Sequence, residues 1–413
     1  MSIIKSFKGY RPVPNLAKQI ASRPYDVLNR AEAKAEATDN PYSYLHIVRS
    51  EIGLPDEVSA YDATVYAKAK ANFEQMTQEN ILVQDTEASM YVYAQTMNGK
   101  QQVGLVACTS IDDCLNDIIK KHEFTRPTKE QDRINHIYTT NLHSGPILMA
   151  YPNVMAIDAI INQVIAQKPA YDFAAVDDIQ HTFWVIDDAD KIGALTELFA
   201  QKVPYIYIAD GHHRVASSTK VGLRKRAENE HHTGEEEYNY FLSVLFPDNQ
   251  LTIIDYNRVV TDLNGLSKAD FLAKVSEKFD VEISETAYQP QTPYRFGMYL
   301  DKKWYMLTAK KGTYEENHPI LSLDISVLSD NLLAPILNIT DQRTDNRIDF
   351  VGGIRGMKEL ERRVDSGEMC LAFSIYAVSI QQLIDVANSG KVMPPKSTWF
   401  EPKLRSGLVT HQF

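Results

Sequence analysis

The sequence has little of what marks secreted, membrane-spanning or zinc-binding proteins. Its 413 residues include only three cysteines, Cys108, Cys114 and Cys370, an odd number without the spacing of a zinc site. No run approaches the ~18 consecutive apolar residues of a membrane span. The first residues also lack the apolar core of a signal peptide. We therefore expect a cytoplasmic protein with reduced cysteines and no membrane partner.

The sequence also lacks a positive net charge and the glycine-rich loops of common nucleotide-binding folds. Its net charge is −11, which argues against a nucleic-acid partner because phosphate polymers require a basic surface. No G-x-x-x-x-G-K-[ST] motif occurs, and Gly352–Gly356 lacks the strand–helix context of a dinucleotide loop. A local basic pocket for a small phosphorylated ligand remains compatible with these absences.

What is present is typical of a globular protein, with 44% hydrophobic and 23% charged residues. Strand and helix signals mix without strict βαβ alternation, which favours an α+β fold with at least two mixed sheets. Asn98-Gly99 and Asp301-Lys302, each between two β-rich runs, predict hairpins. We predict three regions: an N-terminal α+β region at 1–135, a central region at 136–265 and a C-terminal α+β region at 266–413.

The most informative segment runs from Tyr205 to Lys220, where a β-prone run leads into a glycine and then into helix-forming residues. A strand that turns into a helix presents unpaired backbone N–H groups and the positive end of the helix dipole to one small volume. That volume favours an anion, and phosphate above all. Gly211 permits the backbone angles that such a turn requires. We predict a phosphate-binding turn; the alternative is an ordinary turn whose polar residues cap the helix.

The side chains of this turn are Asp210, His212, His213 and Arg214. Arg214 can fork onto phosphate or carboxylate, and the histidines can supply protons, hydrogen bonds or metal ligation. We name no metal ligand, because adjacent histidines at a helix start point in different directions. Since such neighbours project about 100° apart, we expect His212 to face the ligand and His213 to turn inward.

A second segment suited to acid–base work precedes a proline break. It contains His122-Glu123 and Arg126, and Asp132-Arg133 follows. A solvated helix face would explain Asp132-Arg133 equally well. We therefore treat Glu123 as the candidate catalytic residue of this segment.

A third segment lies near the C-terminus, where three prolines between Met393 and Pro402 fix the backbone of a loop. Its donors suit anionic oxygens, namely Lys396, Ser397, Thr398 and Lys403. Alternatively, the segment is a strap packed by Trp399. We expect the loop to close on the central turn, because a shared anion would offset the repulsion between two cationic elements.

Together these segments resemble a bacterial family known as domain of unknown function 1015, over nearly the whole chain. The residues that carry the resemblance are Lys8–Pro12, Pro24–Val27, Asn40-Pro41, His122-Glu123, Asp132-Arg133, Ala209–Arg214 and Met393–Thr398. There are two departures. Arg23 stands where a second proline is more frequent, and Asp255–Arg258 stands where Pro-x-His-Arg is usual, so that only Arg258 carries over. The Asp-Gly-His-His-Arg turn is also similar to the phosphate-binding turn of the ParB/sulfiredoxin group, which includes free-serine kinases.

We hypothesise a small-molecule phosphotransferase that acts on a free amino acid, with L-serine as the best candidate and ATP, ADP or pyrophosphate as donor. The donor would be bound by Gly211, His212, Arg214, Lys396, Ser397 and Thr398, and His212 or His213 would bind the transferred group. Asp26, Glu123 or Asp210 would take the proton of the substrate hydroxyl. Mg²⁺ is expected on chemical grounds alone.

Two other functions stay open at this point. One is a hydrolase that acts on phosphoserine or a similar phosphoester, because the same turn would serve water as acceptor. The other is a non-enzymatic regulator that senses a nucleotide or an amino acid. The sequence leaves the oligomeric state open.

Overall fold

The computed structural model describes all 413 residues and divides them into two compact units. The discontinuous unit comprises residues 1–251 and 402–413, and the inserted unit comprises residues 252–401. Both contain helices and strands, which confirms the mixed α+β class. No helix combines the length and the apolar character that a membrane crossing requires.

Before the chain enters the inserted unit, the discontinuous unit has twelve strands and nine α-helices. The strands are β1 Ile4–Lys5, β2 Tyr10–Pro12, β3 Leu82–Gln84, β4 Met90–Met97, β5 Lys100–Ser110, β6 Ile119–Lys120, β7 Leu142–His143, β8 Ile147–Tyr151, β9 Tyr171–Ala174, β10 Gln180–Ile186, β11 Ile206–Asp210 and β12 Tyr240–Pro247. The helices are α1 Ala17–Ile20, α2 Arg30–Ala37, α3 Leu45–Val48, α4 Ala63–Gln78, α5 Ile111–Leu115, α6 Pro127–Thr140, α7 Met155–Ile165, α8 Ala189–Lys202 and α9 His212–Glu228.

Nine of these strands form one sheet in the order β6-β11-β8-β12-β5-β4-β10-β9, with β1 also paired to β5. Most neighbours are antiparallel, whereas β6–β11 and β8–β12 are parallel. Strands from residues 1–135 and strands from residues 136–265 therefore share one sheet, for example β4 with β10. The structure joins the first two regions that we divided from the sequence, because their strands exchange backbone hydrogen bonds.

The hairpin predicted at Asn98-Gly99 is confirmed. Met97 pairs with Lys100 across the turn, and Asn98 and Gly99 have φ angles of 51° and 77°. Two positive φ angles in succession are what a tight turn between twisted antiparallel strands requires, and Asn-Gly adopts them at low cost. The local sequence therefore determined this connection.

Strand β8 connects the predicted phosphate-binding turn at the end of β11 to the main hydrophobic core. It is buried along its whole length and lies between β11 and β12. Ile147 and Met149 belong to the main hydrophobic cluster, which also receives Ile157 from α7 and Phe199 from α8. Because β11 pairs with this buried strand, the end of β11 is fixed in position.

The inserted unit has eight strands and four α-helices. The strands are β13 Ile253–Ile254, β14 Tyr256–Val260, β15 Phe279–Ser284, β16 Arg295–Leu300, β17 Lys303–Ala309, β18 Ile348–Gly352, β19 Leu371–Ile375 and β20 Trp399–Phe400. The helices are α10 Lys268–Lys278, α11 Asp324–Leu328, α12 Gly356–Asp365 and α13 Ile380–Asn388, and a π-helical turn at Ser329–Leu333 follows α11.

Six strands of the inserted unit form an antiparallel sheet in the order β15-β17-β16-β19-β14-β18. Only the nine-stranded sheet contains parallel pairs, so the prediction of at least two mixed sheets is wrong. The hairpin predicted at Asp301-Lys302 joins β16 to β17, with Leu300 paired to Lys303. Both turn residues have positive φ angles, 50° and 59°. The second predicted hairpin is confirmed as well.

The last twelve residues return to the discontinuous unit, so the predicted C-terminal region 266–413 is divided in the structure. Strand β21, His411–Gln412, pairs with β7. Thr410 bridges to Tyr10, and Ser406 bridges to Ser22. Backbone pairing thus holds residues 402–413 against the N-terminal segment.

Candidate functional site

The predicted strand, turn and helix are present at Asp210–Arg214. Strand β11 ends at Asp210, Gly211 has a φ angle of +110°, and α9 begins at His212. A Cβ atom on Gly211 would lie 3.0 Å from Arg214 Nε, so both backbone angle and space require glycine here. The register of β11 against β8 also shifts between Ile208 and Asp210. Such irregularities re-aim side chains at strand ends.

Helix α9 begins without a side-chain cap and without an acidic residue in its first turn. Its first three residues are His212, His213 and Arg214. A helix start of this kind has backbone N–H groups without intrahelical partners and carries the positive end of the helix dipole. The local charge therefore favours an anion.

Asp210 is paired with two cations of the discontinuous unit. Its Oδ2 atom lies 3.5 Å from Arg214 Nη2 and 3.6 Å from Lys403 Nζ. Burial would raise the pKa of Asp210, but Lys403 and Arg214 outweigh burial and lower the pKa to about 2. Asp210 is therefore a carboxylate at neutral pH and a poor proton acceptor.

Arg214 is buried, with 8% of its side chain exposed. It folds back over Gly211, and its Nη1 donates to the carbonyl oxygen of Pro146. Its Nε atom is buried and has no hydrogen-bond partner. Most of the guanidinium is thus committed to the protein.

The histidines bring the second predicted segment to the turn. His212 Nε2 accepts the backbone N–H of His122 at 3.4 Å, and their rings meet edge to face at 4.5 Å. His213 Nε2 accepts the backbone N–H of Arg126 at 2.9 Å. Glu123 Oε2 lies 3.9 Å from His212 Nδ1. The turn and the His122–Arg126 segment are therefore in direct contact.

The burial of the two histidines does not follow the expected orientation, which stays a prediction. His212 is the buried one, whereas His213 is half-buried. Both rings hydrogen-bond to the same segment, because that segment crosses the start of α9. His213 is therefore the more accessible imidazole.

Burial also sets the charge of these rings. It lowers the pKa of His122 to about 4, and burial together with the neighbouring His122 lowers the pKa of His212 well below its usual range. Both imidazoles are neutral at neutral pH. Because their pKa values are lowered, both rings resist protonation and are weak proton acceptors.

Next to the turn lies a small cavity with a volume of about 20 Å³, lined by residues that include Tyr25, Arg133, Ser144, Arg214 and Ser218. Arg133 belongs to α6 and lies 2.8 Å from Asp132, and its guanidinium carbon is 4.1 Å from the ring centre of Tyr25. Asp132 and Arg133 are both buried. The alternative of a solvated helix face is therefore wrong, because α6 packs between α4 and α9.

The N-terminal candidate Asp26 follows Tyr25 and is exposed. Tyr25 lines the cavity, so the Pro24–Val27 segment contributes to the same region of the discontinuous unit. Glu123 lies at the start of α9 through His212, whereas Asp26 is connected to this region only through its neighbour Tyr25.

The loop at Lys396–Thr398 belongs to the inserted unit. Arg258 Nη2 donates to the carbonyl oxygens of Pro395 and Lys396 at 3.0 and 2.9 Å. Ser397 Oγ donates to the carbonyl of Pro394 at 2.6 Å. These bonds fix the loop, as its prolines predicted. That the loop closes on the turn stays a prediction.

Sequence reasoning missed the cavity and the place of Lys403. Arg214 and Ser218 are four residues apart and so share one face of α9, a spacing that could have identified them together. Nothing local marks Lys403 as the partner of Asp210. No group of three His, Cys, Asp or Glu side chains is arranged to hold a metal ion.

Comparison with known proteins now places the chain in a family. Residues 4–326 match the family described as protein of unknown function, DUF1015. The chain belongs to the DUF1015 family. The match ends at residue 326, so the loop at Met393–Thr398 lies outside it, although we expected the resemblance to cover nearly the whole chain. None of the curated proteins is significantly similar to this DUF1015 protein.

Solved structures give distant similarities. A conserved hypothetical protein from Pyrococcus furiosus is 14% identical, with 75% of this chain and 94% of that chain covered and a TM-score of 0.37. A free serine kinase in complex with AMP is 14% identical, with 73% and 91% covered and a TM-score of 0.37. SbnI with a C-terminal truncation, from Staphylococcus aureus, is 11% identical, with 73% and 85% covered and a TM-score of 0.38.

Proposed function

We propose that this DUF1015 protein is a small-molecule phosphotransferase that moves a phosphoryl group to the hydroxyl of a free amino acid, with L-serine as the best candidate. The observation that carries the proposal is the start of α9. It is an uncapped helix start behind a left-handed glycine, with no acidic residue in its first turn. The distant likeness to free serine kinases is too weak to add to this support.

In this proposal the backbone N–H groups at Gly211–His213 hold the donor phosphates of ATP, ADP or pyrophosphate. Phosphoryl transfer needs positioning and charge neutralisation more than covalent chemistry. His213, the more accessible imidazole, would contact the transferred group. Lys403, 3.6 Å from Asp210, would supply positive charge, and Arg214 would hold the turn in shape from behind. We further propose that the turn acts as phosphate turns do in the ParB/sulfiredoxin group.

The acceptor hydroxyl needs a base, and the three acidic candidates differ in their surroundings. The pKa of Asp210, held at about 2 by Lys403 and Arg214 against the effect of burial, makes it the weakest candidate. Glu123 lies 3.9 Å from Nδ1 of the neutral His212, whose Nε2 already accepts the backbone N–H of His122, so the ring would orient the carboxylate rather than take the proton itself. Asp26 is exposed on the Tyr25 segment. We propose Glu123 as the base, with Asp26 as the second candidate.

The protein offers no set of ligands for the expected Mg²⁺, because no three His, Cys, Asp or Glu side chains converge. Magnesium commonly keeps several waters and binds through substrate phosphates with one or two carboxylates. The residues present do not form a resident magnesium site, and we assign no step to the ion. Any Mg²⁺ would arrive with the phosphates of the donor.

The decisive experiment incubates the purified protein with L-serine, Mg²⁺ and each donor in turn, and detects phosphoserine by mass spectrometry. Product with one donor is the expected result. Phosphate release from phosphoserine without transfer would instead favour the hydrolase, and donor binding without turnover would favour the sensor. His213→Asn should reduce turnover, whereas His231→Asn, at an exposed histidine of the same unit, serves as the matched control.

A further inference from the structure

The cavity beside α9 has an unusual lining for its size. Its volume of about 20 Å³ has room for roughly one water-sized group. Two arginines line it, Arg133 from α6 and Arg214 from α9, together with the hydroxyl-bearing residues Ser144 and Ser218. Genuinely empty cavities are apolar, so a lining this polar indicates a bound partner.

Two buried polar atoms of the lining residues have no hydrogen-bond partner in the protein. They are Arg214 Nε and Ser218 Oγ, on the same face of α9. Arg133 binds Asp132 through Nε at 2.9 Å and Nη2 at 2.8 Å, which leaves Nη1 for another acceptor. Buried donors are nearly always satisfied in folded proteins. The lining is therefore incomplete without an acceptor.

The charge of the lining identifies the kind of acceptor. The two histidines that also line the cavity are held neutral. Burial and Arg133 lower the pKa of His136 to about 4, and burial and His411 lower that of His143 well below its usual range. His136 Nε2 and His143 Nδ1 are already bound, to Ile47 O and His411 Nδ1. The two unsatisfied atoms are thus a guanidinium nitrogen, Arg214 Nε, and a hydroxyl oxygen, Ser218 Oγ, beside the second guanidinium of Arg133. Guanidinium groups match a carboxylate.

We propose that this cavity is the subsite for the α-carboxylate of the amino-acid acceptor. A planar carboxylate can place an oxygen between Arg133, Arg214 and Ser218. The inference rests on the proposed function only in taking the ligand to be the acceptor; carboxylate binding by the cavity does not depend on turnover.

The test measures the affinity of the full chain for three probes by isothermal titration calorimetry. L-Serine and L-alanine carry the carboxylate, and L-alanine lacks the hydroxyl; ethanolamine keeps the hydroxyl and the amine but lacks the carboxylate. We expect both amino acids to bind within a few-fold of each other and ethanolamine to bind at least about tenfold more weakly, as for loss of a hydrogen-bonded charged group.

The matched variants are Ser218→Ala and Ser217→Ala. Ser218 Oγ has no hydrogen-bond partner in the protein, so Ser218→Ala should leave the melting temperature nearly unchanged. The same variant should weaken the binding of L-serine and L-alanine about tenfold. Ser217 is equally buried, but its Oγ donates to the carbonyl of Glu130 at 3.0 Å. Its loss should lower the melting temperature and leave amino-acid binding within twofold.

The outcomes separate this inference from the proposed function. Absence of phosphoserine, together with L-alanine binding that depends on Ser218, would sink the phosphotransferase and leave the carboxylate subsite standing. If ethanolamine were phosphorylated as fast as L-serine, and if Ser218→Ala left both rates unchanged, the carboxylate subsite would be overturned and the phosphotransferase would stand. Failure of both amino acids to bind, or equal binding by ethanolamine, overturns the subsite; the cavity then holds structural water.

Discussion

Two buried arginines, Arg214 of the discontinuous unit and Arg258 of the inserted unit, are used differently. Arg214 of the discontinuous unit has a carboxylate partner, Asp210, one carbonyl acceptor, Pro146, and an Nε atom without a partner. Arg258 of the inserted unit, 1% exposed, meets only neutral oxygens. These are Gln342 Oε1 at 3.1 Å, Pro395 O at 3.0 Å, Lys396 O at 2.9 Å and Tyr256 O.

This difference distinguishes a structural cation from a binding one. Every nitrogen of the Arg258 guanidinium donates to the protein. Burial lowers the pKa of Arg258 to about 9, because no carboxylate compensates for the lost hydration. Arg214 keeps a carboxylate and an unused donor beside a cavity. A buried arginine with an unused donor is a candidate for ligand binding. A buried arginine whose donors are all used by the protein has a structural role, here in holding a loop.

The largest expected effect follows from removing the structural arginine. Arg258→Met should lower the free energy of unfolding by on the order of 3–5 kcal/mol, because several buried oxygens lose their donor at once. Urea denaturation measures the loss, and circular dichroism checks the fold. Arg258→Lys should recover only part of it, because an ammonium cannot reach all four acceptors. A loss below about 1 kcal/mol would contradict the structural role.

The binding arginine should behave as half of an ion pair. Arg214→Met should cost about 2–3 kcal/mol of unfolding free energy, because Asp210 is left with Lys403 alone. Adding Asp210→Asn should restore part of the stability, since the unpaired carboxylate is then removed. A double-mutant cycle by urea denaturation measures this coupling. Purely additive losses would mean that Asp210 and Arg214 do not stabilise each other. No such compensating partner exists for Arg258.

The two units should also respond to acid with opposite sign. In the discontinuous unit, burial lowers the pKa of His122 and His136 to about 4 and that of His181 to about 3. Below pH 6.5 these histidines become protonated in the unfolded chain but stay neutral in the folded one. The free energy of unfolding therefore falls as the pH drops towards 4. In the inserted unit, burial raises the pKa of Asp324 to about 7. Its contribution is fully present below pH 4 and is lost as pH rises through 7.

Hydrogen exchange resolved by segment, corrected for intrinsic rates, measures both responses. From pH 7.5 to pH 5, protection of β4 and β5 should fall by on the order of 2 kcal/mol for each of these histidines that the opening exposes. Protection of β16 and β19 should hold or rise. Asp324→Asn should abolish the pH dependence of hydrogen-exchange protection in β16 and β19 and leave that of β4 and β5 unchanged. The same sign in both units would show that the histidines or Asp324 do not control these responses.

The smallest effect on stability is expected at Lys396. Its φ angle is +58°, and Asn tolerates that conformation, so Lys396→Asn removes the charge without adding backbone strain. The unfolding free energy should change by less than about 0.5 kcal/mol. If the loop serves the turn, kcat/KM for the phosphate donor should fall about tenfold or more, as for a lost charged contact. Lys391→Asn, at an exposed lysine of the same unit, is the control.

Local features of the site were predictable and long-range ones were not. The turn at Asp210–Arg214 follows from a β-prone run, one glycine and a helix-forming run, all within sixteen residues from Tyr205 to Lys220. The orientation of Arg214 did not follow, because it depends on the carbonyl of Pro146, which β8 brings beside the turn. The burial of Arg133 depends on the packing of α6 against α4 and α9, which no helical pattern reveals.

By itself the sequence determined the backbone conformations that depend on neighbours along the chain. These include the two hairpins and the left-handed Gly211. Only the tertiary structure decided which charged groups share a volume: Lys403 with Asp210, and Arg133 with Arg214 and Ser218. The physical reason is that backbone preference is local, whereas the charge and hydrogen bonding of a side chain depend on burial and on partners distant in sequence.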